Sequence, residues 1–275
     1  MDGAAGAKAE GVELMDLGIS GKTALVMASS RGLGAGIART LAAEGVHVLL
    51  TARSEERLSE VAAEIAAAGG RADILATDLS DPASSDAIAA AVEDQLGGAD
   101  ILVANTGGPP PGRMADADLA ALPAQLDVMV VRVAEIAARL IPHMQARGWG
   151  RILAIGSSGV IQPIPNLGLS NLSRSALVGW AKSLSNDLAS DGITVNMLLP
   201  GRIHTERVDE LDAATAQRTG KTLEETRAAS RATIPAGRYG KVEEFAATAA
   251  FLCSAPASYV TGGLIRCDGG LIRSV

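Results

Sequence analysis

Aromatic side chains are almost missing from this sequence: two Trp, two Tyr and two Phe in 275 residues. So few rings argue against a pocket built to hold a flat polycyclic ligand. A basic surplus is missing too. Twenty-four Lys and Arg face 31 Asp and Glu, a net charge of −7, so nothing is available to neutralise nucleic-acid phosphates or an anionic membrane surface. Two cysteines, Cys253 and Cys267, are too few for the disulfide framework of a small secreted domain and read as reduced thiols. No run approaches the ~18 consecutive apolar residues of a membrane span. The first 16 residues, MDGAAGAKAEGVELMD, lack the basic and apolar regions of a signal peptide and read as a flexible arm. These absences leave a cytoplasmic globular protein as the expectation.

What is present is a repeated alternation. The runs TALVM (23–27), VHVLL (46–50), ILVA (101–104), ILAI (152–155) and ITVNMLL (193–199) read as strands buried on both faces, the mark of a parallel sheet. Residues 71–76 and 264–267 are weaker strand candidates. Helix signals fill the spacers. Ser54 caps a segment opened by Glu55 and Glu56 and closed by Gly69-Gly70, and Asp81-Pro82 is a second start signal. Alternating β and α units predict an α/β fold: a single Rossmann-like, doubly wound parallel sheet over 17–275. Residues 202–240 are polar and helical in pattern, without a strand, and read as a helical substrate lid.

The first strand runs into Ala28-Ser29-Ser30-Arg31-Gly32-Leu33-Gly34-Ala35-Gly36 and then a helix. Glycines there let the backbone approach a pyrophosphate at the helix N-terminus; a tight turn without ligand is the plain alternative. Sites that prefer NAD usually carry an acid at the end of the second strand. Here that place reads Thr51-Ala52-Arg53-Ser54. Arg53, with Arg31, suits a 2′-phosphate instead, which favours NADP over NAD.

On these residues the chain resembles the short-chain dehydrogenase/reductase family, and within it the 3-oxoacyl-[acyl-carrier-protein] reductases. The resemblance runs from about 17 to 274 through SGKTALVMASSRGLGAGIA, TDLSDP, ILVANTGG, GRILAIGSS, ALVGWAKSLSNDLASDGITVNMLLPGRI and GRYGKVEEFAATAAFLCSAPASYVTGGLIRCDGG. It implies cofactor contacts from Ser30, Arg31, Gly32, Leu33 and Gly34 in the turn, Arg53, Asp78 and Leu79 beside the adenine end, Asn105 and Gly107 after the fourth strand, and Pro200, Gly201, Ile203 and Thr205 beside the nicotinamide. It also implies a homotetramer or dimer, through the helix carrying Ser170 and through 259–275.

Two departures matter. The family's first Thr-Gly is Met27-Ala28 here, and Ala28 is expected to fit only at negative φ. The family's Ser-Tyr-Lys pattern aligns with Ser157, Ser170 and Arg174, and its asparagine with Met129. The only tyrosines, Tyr239 and Tyr259, have Glu243 and Gly263 four residues on, so the chain contains no Tyr-x3-Lys. In the family that tyrosine moves the proton while nicotinamide moves the hydride. A serine is a far weaker acid, and arginine stays protonated. Ser170 and Arg174, four apart, share one helix face, where Arg174 can hold the cofactor ribose, a substrate carboxylate or a phosphate. His204 carries an imidazole that can supply the missing proton, or it is an exposed lid residue. No metal-binding pattern is present. The expectation is an NADP-dependent oxidoreductase acting on a small carbonyl or alcohol, with an atypical Ser157/Ser170/Arg174/His204 catalytic set. Redox-neutral isomerase or lyase chemistry on the same fold, and non-catalytic nucleotide binding, are the alternatives.

Overall fold

The computed structural model describes residues 16–274, so the N-terminal arm lies outside the described residues apart from Asp16. Seven strands form one parallel sheet: β1 (Thr23–Met27), β2 (His47–Ala52), β3 (Arg71–Ala76), β4 (Ile101–Ala104), β5 (Gly150–Ile155), β6 (Ile193–Pro200) and β7 (Leu264–Cys267). Their order is β3-β2-β1-β4-β5-β6-β7. The chain thus winds one way from β1 to β3, returns, and winds the other way from β4 onward.

Among the described residues nine α-helices connect the strands: α1 (Gly32–Ala43), α2 (Glu55–Ala67), α3 (Ser84–Leu96), α4 (Leu122–Leu126), α5 (Arg132–Arg147), α6 (Gly168–Leu188), α7 (Glu206–Thr219), α8 (Leu223–Ala232) and α9 (Val242–Leu252). Successive strand residues point to opposite faces, so the apolar runs feed two cores. Ala24 and Val26 pack with α1, α2 and α9, while Leu25 and Met27 pack with α3, α5 and α6. The edge strands β3 and β7 are only partly buried, which is why their sequences are less apolar. β2 reaches two residues beyond the expected run, because pairing continues through Met27↔Thr51 and Ala52↔Ala76.

Residues 202–240 hold α7 and α8. Their base is pinched shut, with the His204 N–H donating to Gly240 O and the Gly240 N–H donating to Arg202 O, both at 2.9 Å. Between α4 and α5 the helix widens to one π-turn, Asp127–Val131, which buries Met129 completely. At the opposite, amino-terminal edge of the sheet, Lys22 Nζ at 4.2 Å and Arg151 Cζ at 4.3 Å each lie over the Trp149 ring.

The two cysteines are unpaired. Burial in the α9 core pushes the Cys253 thiol up to about 12, and Cys267 is half-buried. Iodoacetamide at about pH 8 is therefore expected to modify Cys267 at most in the native protein, and Cys253 only after denaturation. Mass spectrometry showing native Cys253 alkylated would contradict this packing.

Candidate active site

The carboxyl ends of β1 and β4 part where the winding reverses, and a cleft of about 1540 Å³ opens there. Its floor is the turn after β1. The Ser29 N–H donates to Thr51 O and the Thr51 N–H donates to Ser29 Oγ, each at 3.1 Å, tying this turn to the end of β2. Asn105 Nδ2, arriving from β4, donates to Ala28 O at 3.3 Å and bridges the parted strands. Ala28 itself has φ +47, which corrects the expectation of negative φ. These contacts over-determine the turn, so an alanine occupies the left-handed region where glycine is unstrained. Gly34 lies beneath: a Cβ there would stand 2.3 Å from Ala28 O. It packs the turn and does not line the cleft.

At the outer end, Ser30, Arg31, Gly32, Leu33, Arg53, Asp78 and Leu79 all line the cleft. Asp78 Oδ1 accepts the Ser80 N–H at 3.0 Å, and this bond chiefly holds its carboxyl below the usual range, with Arg53 adding a smaller effect. Arg53 makes no ion pair among the described residues. The start of α1 has no side-chain cap, so its first-turn N–H groups are available to an anion. Arg31 is engaged differently from expectation. It pairs with Glu206 of α7 and lies 3.7 Å from Glu210, while Arg57 reaches Glu206 at 3.4 Å. The helical segment is thereby latched over the glycine turn. The Arg31 bond is also the main reason the Glu206 carboxyl stays below its ordinary range.

At the inner end, Asn105, Gly107, Ser157, Ser170, Arg174, Pro200, Gly201 and Ile203 meet in the same cleft. Ser157 Oγ accepts the Gly159 N–H at 3.0 Å, which leaves its own proton free to donate. Arg174 is nearly buried. It donates to Ile155 O at 2.7 Å and Thr106 O at 3.4 Å, bracing the ends of β5 and β4. Burial, with the Arg207 charge adding to it, holds its guanidinium down at about 10, still cationic at neutral pH. Asn171 Nδ2 donates to Ile164 O at 3.0 Å and its Oδ1 accepts the Ile164 N–H, fixing the wall formed by Pro163 and Pro165.

The structure does not bring His204 or Thr205 to the cleft lining. The His204 ring is 64 % exposed, 3.5 Å from Asp209, because the pinched base at Gly240 turns it outward. Thr205 stands behind Gly32. Met129, at the expected asparagine position, is buried and also absent from the lining. Sequence reasoning missed Arg57, Glu206 and Arg207. The acid at the start of a helix reads as a dipole partner, and its reach across 175 residues to Arg31 has no local signal.

The family model for enoyl-(acyl carrier protein) reductases matches residues 27–272. The 3-oxoacyl-[acyl-carrier-protein] reductase FabG of Salmonella typhimurium is 34% identical over 260 residues, 93% of this chain and 99% of that protein. This chain belongs to the short-chain dehydrogenase/reductase family. Solved structures of the family agree. L-sorbose reductase from Gluconobacter frateurii, complexed with NADPH and L-sorbose, superimposes with a TM-score of 0.89 at 32% identity, covering 95% of this chain and all of that one. YwfH, an NADPH-dependent reductase involved in bacilysin biosynthesis, gives 0.89 at 31% identity, covering 93% of this chain and 100% of that one.

Ala28→Gly is expected to raise stability. A left-handed L-residue costs ~1–2 kcal/mol, partly offset by the ~0.5–1 kcal/mol that glycine loses in chain entropy. The net gain of about 1 kcal/mol would lift Tm by about 3 °C. Thermal unfolding checks it, and a lowered Tm contradicts the strained turn.

Proposed function

We propose that this short-chain dehydrogenase/reductase is an NADP-dependent oxidoreductase interconverting a carbonyl and an alcohol, with Ser157, Ser170 and Arg174 in the reacting region. One observation carries the reading. A single cleft holds the unpaired Arg53 guanidinium at the end of β2 and, at its inner end, a hydroxyl with a free proton beside a buried cation. The residues present fit the dinucleotide. The uncapped start of α1, entered through Gly32 at φ +56, suits a pyrophosphate, Arg53 suits a 2′-phosphate, and the buried Thr106 Oγ1 has no partner among the described residues. The relatives named above that bind NADPH support the same choice.

A reduced nicotinamide held by these residues would supply a hydride to the carbonyl carbon. Ser157 donates a hydrogen bond to the carbonyl oxygen, and Arg174 stabilises the negative charge that develops on it, in a setting where burial strengthens both effects. Ser170 is short, and the space above it admits a water that delivers the proton. No side chain here matches a phenol as an acid, so protonation from solvent through this water replaces it. The exposed Tyr259 and the partly exposed β7 fit the homotetramer or dimer expected of this family.

Calorimetric titration is expected to show NADPH binding and NADH binding at least about tenfold more weakly, the scale of a charge-assisted contact to phosphate. Arg53→Ala should erase that difference. Equal affinities, or no binding of either nucleotide, would overturn the assignment. The pair Ser170→Tyr with Arg174→Lys should raise the reduction rate of neutral ketones by about 10²-fold, the low end of general acid catalysis. No gain in a variant that still binds NADPH would mean that the missing acid does not limit this site.

A further inference from the structure

Two arginines are buried in the sheet region without a carboxylate partner among the described residues, and their surroundings differ. Arg151 lies over the Trp149 ring and donates to Ser254 O at 3.0 Å, Gly150 O at 2.8 Å and Gly192 O at 3.3 Å. An aromatic face and three carbonyls answer its charge, and it does not line the cleft. Arg174 has two carbonyls and no ring, and it faces the cleft. Of its five N–H donors, two are used.

Its neighbours add cation and donor, not acid. Arg207, at the start of α7, hangs over the same region by donating to Pro109 O at 2.9 Å; among the described residues its one carboxylate partner is the exposed Glu210, at 3.1 Å. Thr106 Oγ1 is buried without a partner among the described residues, in the residue whose carbonyl Arg174 holds. Arg202, also on the lining, is neutralised by the buried Asp212 at 2.9 Å, so the unanswered charge is that of Arg174 and, in part, Arg207. A buried cation is retained cheaply only when an anion joins it.

We infer that the substrate is an anion, a short oxo acid whose carboxylate is taken by Arg174 from α6, with Arg207 closing over it from α7. The inference rests on the carbonyl reduction proposed above and names its substrate class. Arg174 is one helical turn from Ser170 and is hydrogen-bonded to the carbonyl two residues before Ser157. Ser157, Ser170 and Arg174 line one cleft, so a carboxylate held by Arg174 belongs to the same small molecule as the reacting carbonyl, which favours 2-oxo and 3-oxo acids over long-chain esters. Hydride adds to the ketone carbon, a solvent proton goes to its oxygen, and the carboxylate is unchanged.

The test uses the NADP⁺-loaded protein and a panel of straight-chain carboxylates from propanoate to octanoate, each against its amide, followed by ligand-observed NMR. The carboxylates are expected to bind at least about tenfold more tightly than their amides. Arg207→Gln, at a 41 % exposed position, should cut that preference without changing NADPH affinity. Arg174→Gln should abolish it. If Arg174 serves the cofactor ribose instead, Arg174→Gln will weaken NADPH and leave the preference intact, which overturns the inference. Equal binding of acids and amides also overturns it. Reduction of neutral ketones alongside that result would leave the reductase reading standing, whereas absence of NADPH binding would remove the reductase reading itself.

Discussion

The reversal of winding between β1 and β4 is the constraint on which everything else depends. Parallel strands at that point send their chains to opposite faces, so no connection covers the carboxyl ends and a crevice must open. The protein holds the parted ends together with short polar links: Asn105 to Ala28 O across the gap, Ser29 to Thr51 beside it, and Arg174 between β4 and β5. Each link also lines the crevice or fixes a residue that does. The same groups that keep the sheet edge intact therefore define the site.

Among these links Arg174 has the largest chemical consequence. A phenol at the Ser170 position would act as proton donor, with a nearby cation depressing its pKa. With serine there, the cation remains while the acid is gone, and the site offers charge without a strong proton source. We propose that its work shifts from proton transfer to holding negative charge, on the developing alkoxide or on a substrate carboxylate. The ion pairs from Glu206 to Arg31 and Arg57 fix the start of α7, and the next residue, Arg207, reaches Pro109 O over the same cleft.

Much of this was legible beforehand for physical reasons. Strands buried on both faces leave continuous apolar runs, so β1, β4 and β6 stand out, while the half-exposed β3 and β7 are faint. Short spacings place Ser157, Ser170 and Arg174 together because one strand end and one helix turn suffice. Tertiary overrides were not legible. Ala28 takes a left-handed φ because hydrogen bonds from β4 and a glycine beneath it leave no other turn. His204 points outward because Gly240 pairs with its backbone. Glu206 reads as an ordinary first-turn acid, and only the folded chain shows that it grips Arg31.

We propose that hydride reaches a carbonyl in this cleft without a phenolic acid. NADPH deuterated at the transferring position of its nicotinamide, incubated with the protein and a panel of 2-oxo and 3-oxo acids, tests it directly by mass spectrometry of the products. One deuterium on the new carbinol carbon and matching oxidation of NADPH are expected. Product formed without deuterium, or conversion with no loss of NADPH absorbance, would contradict it and point to redox-neutral chemistry.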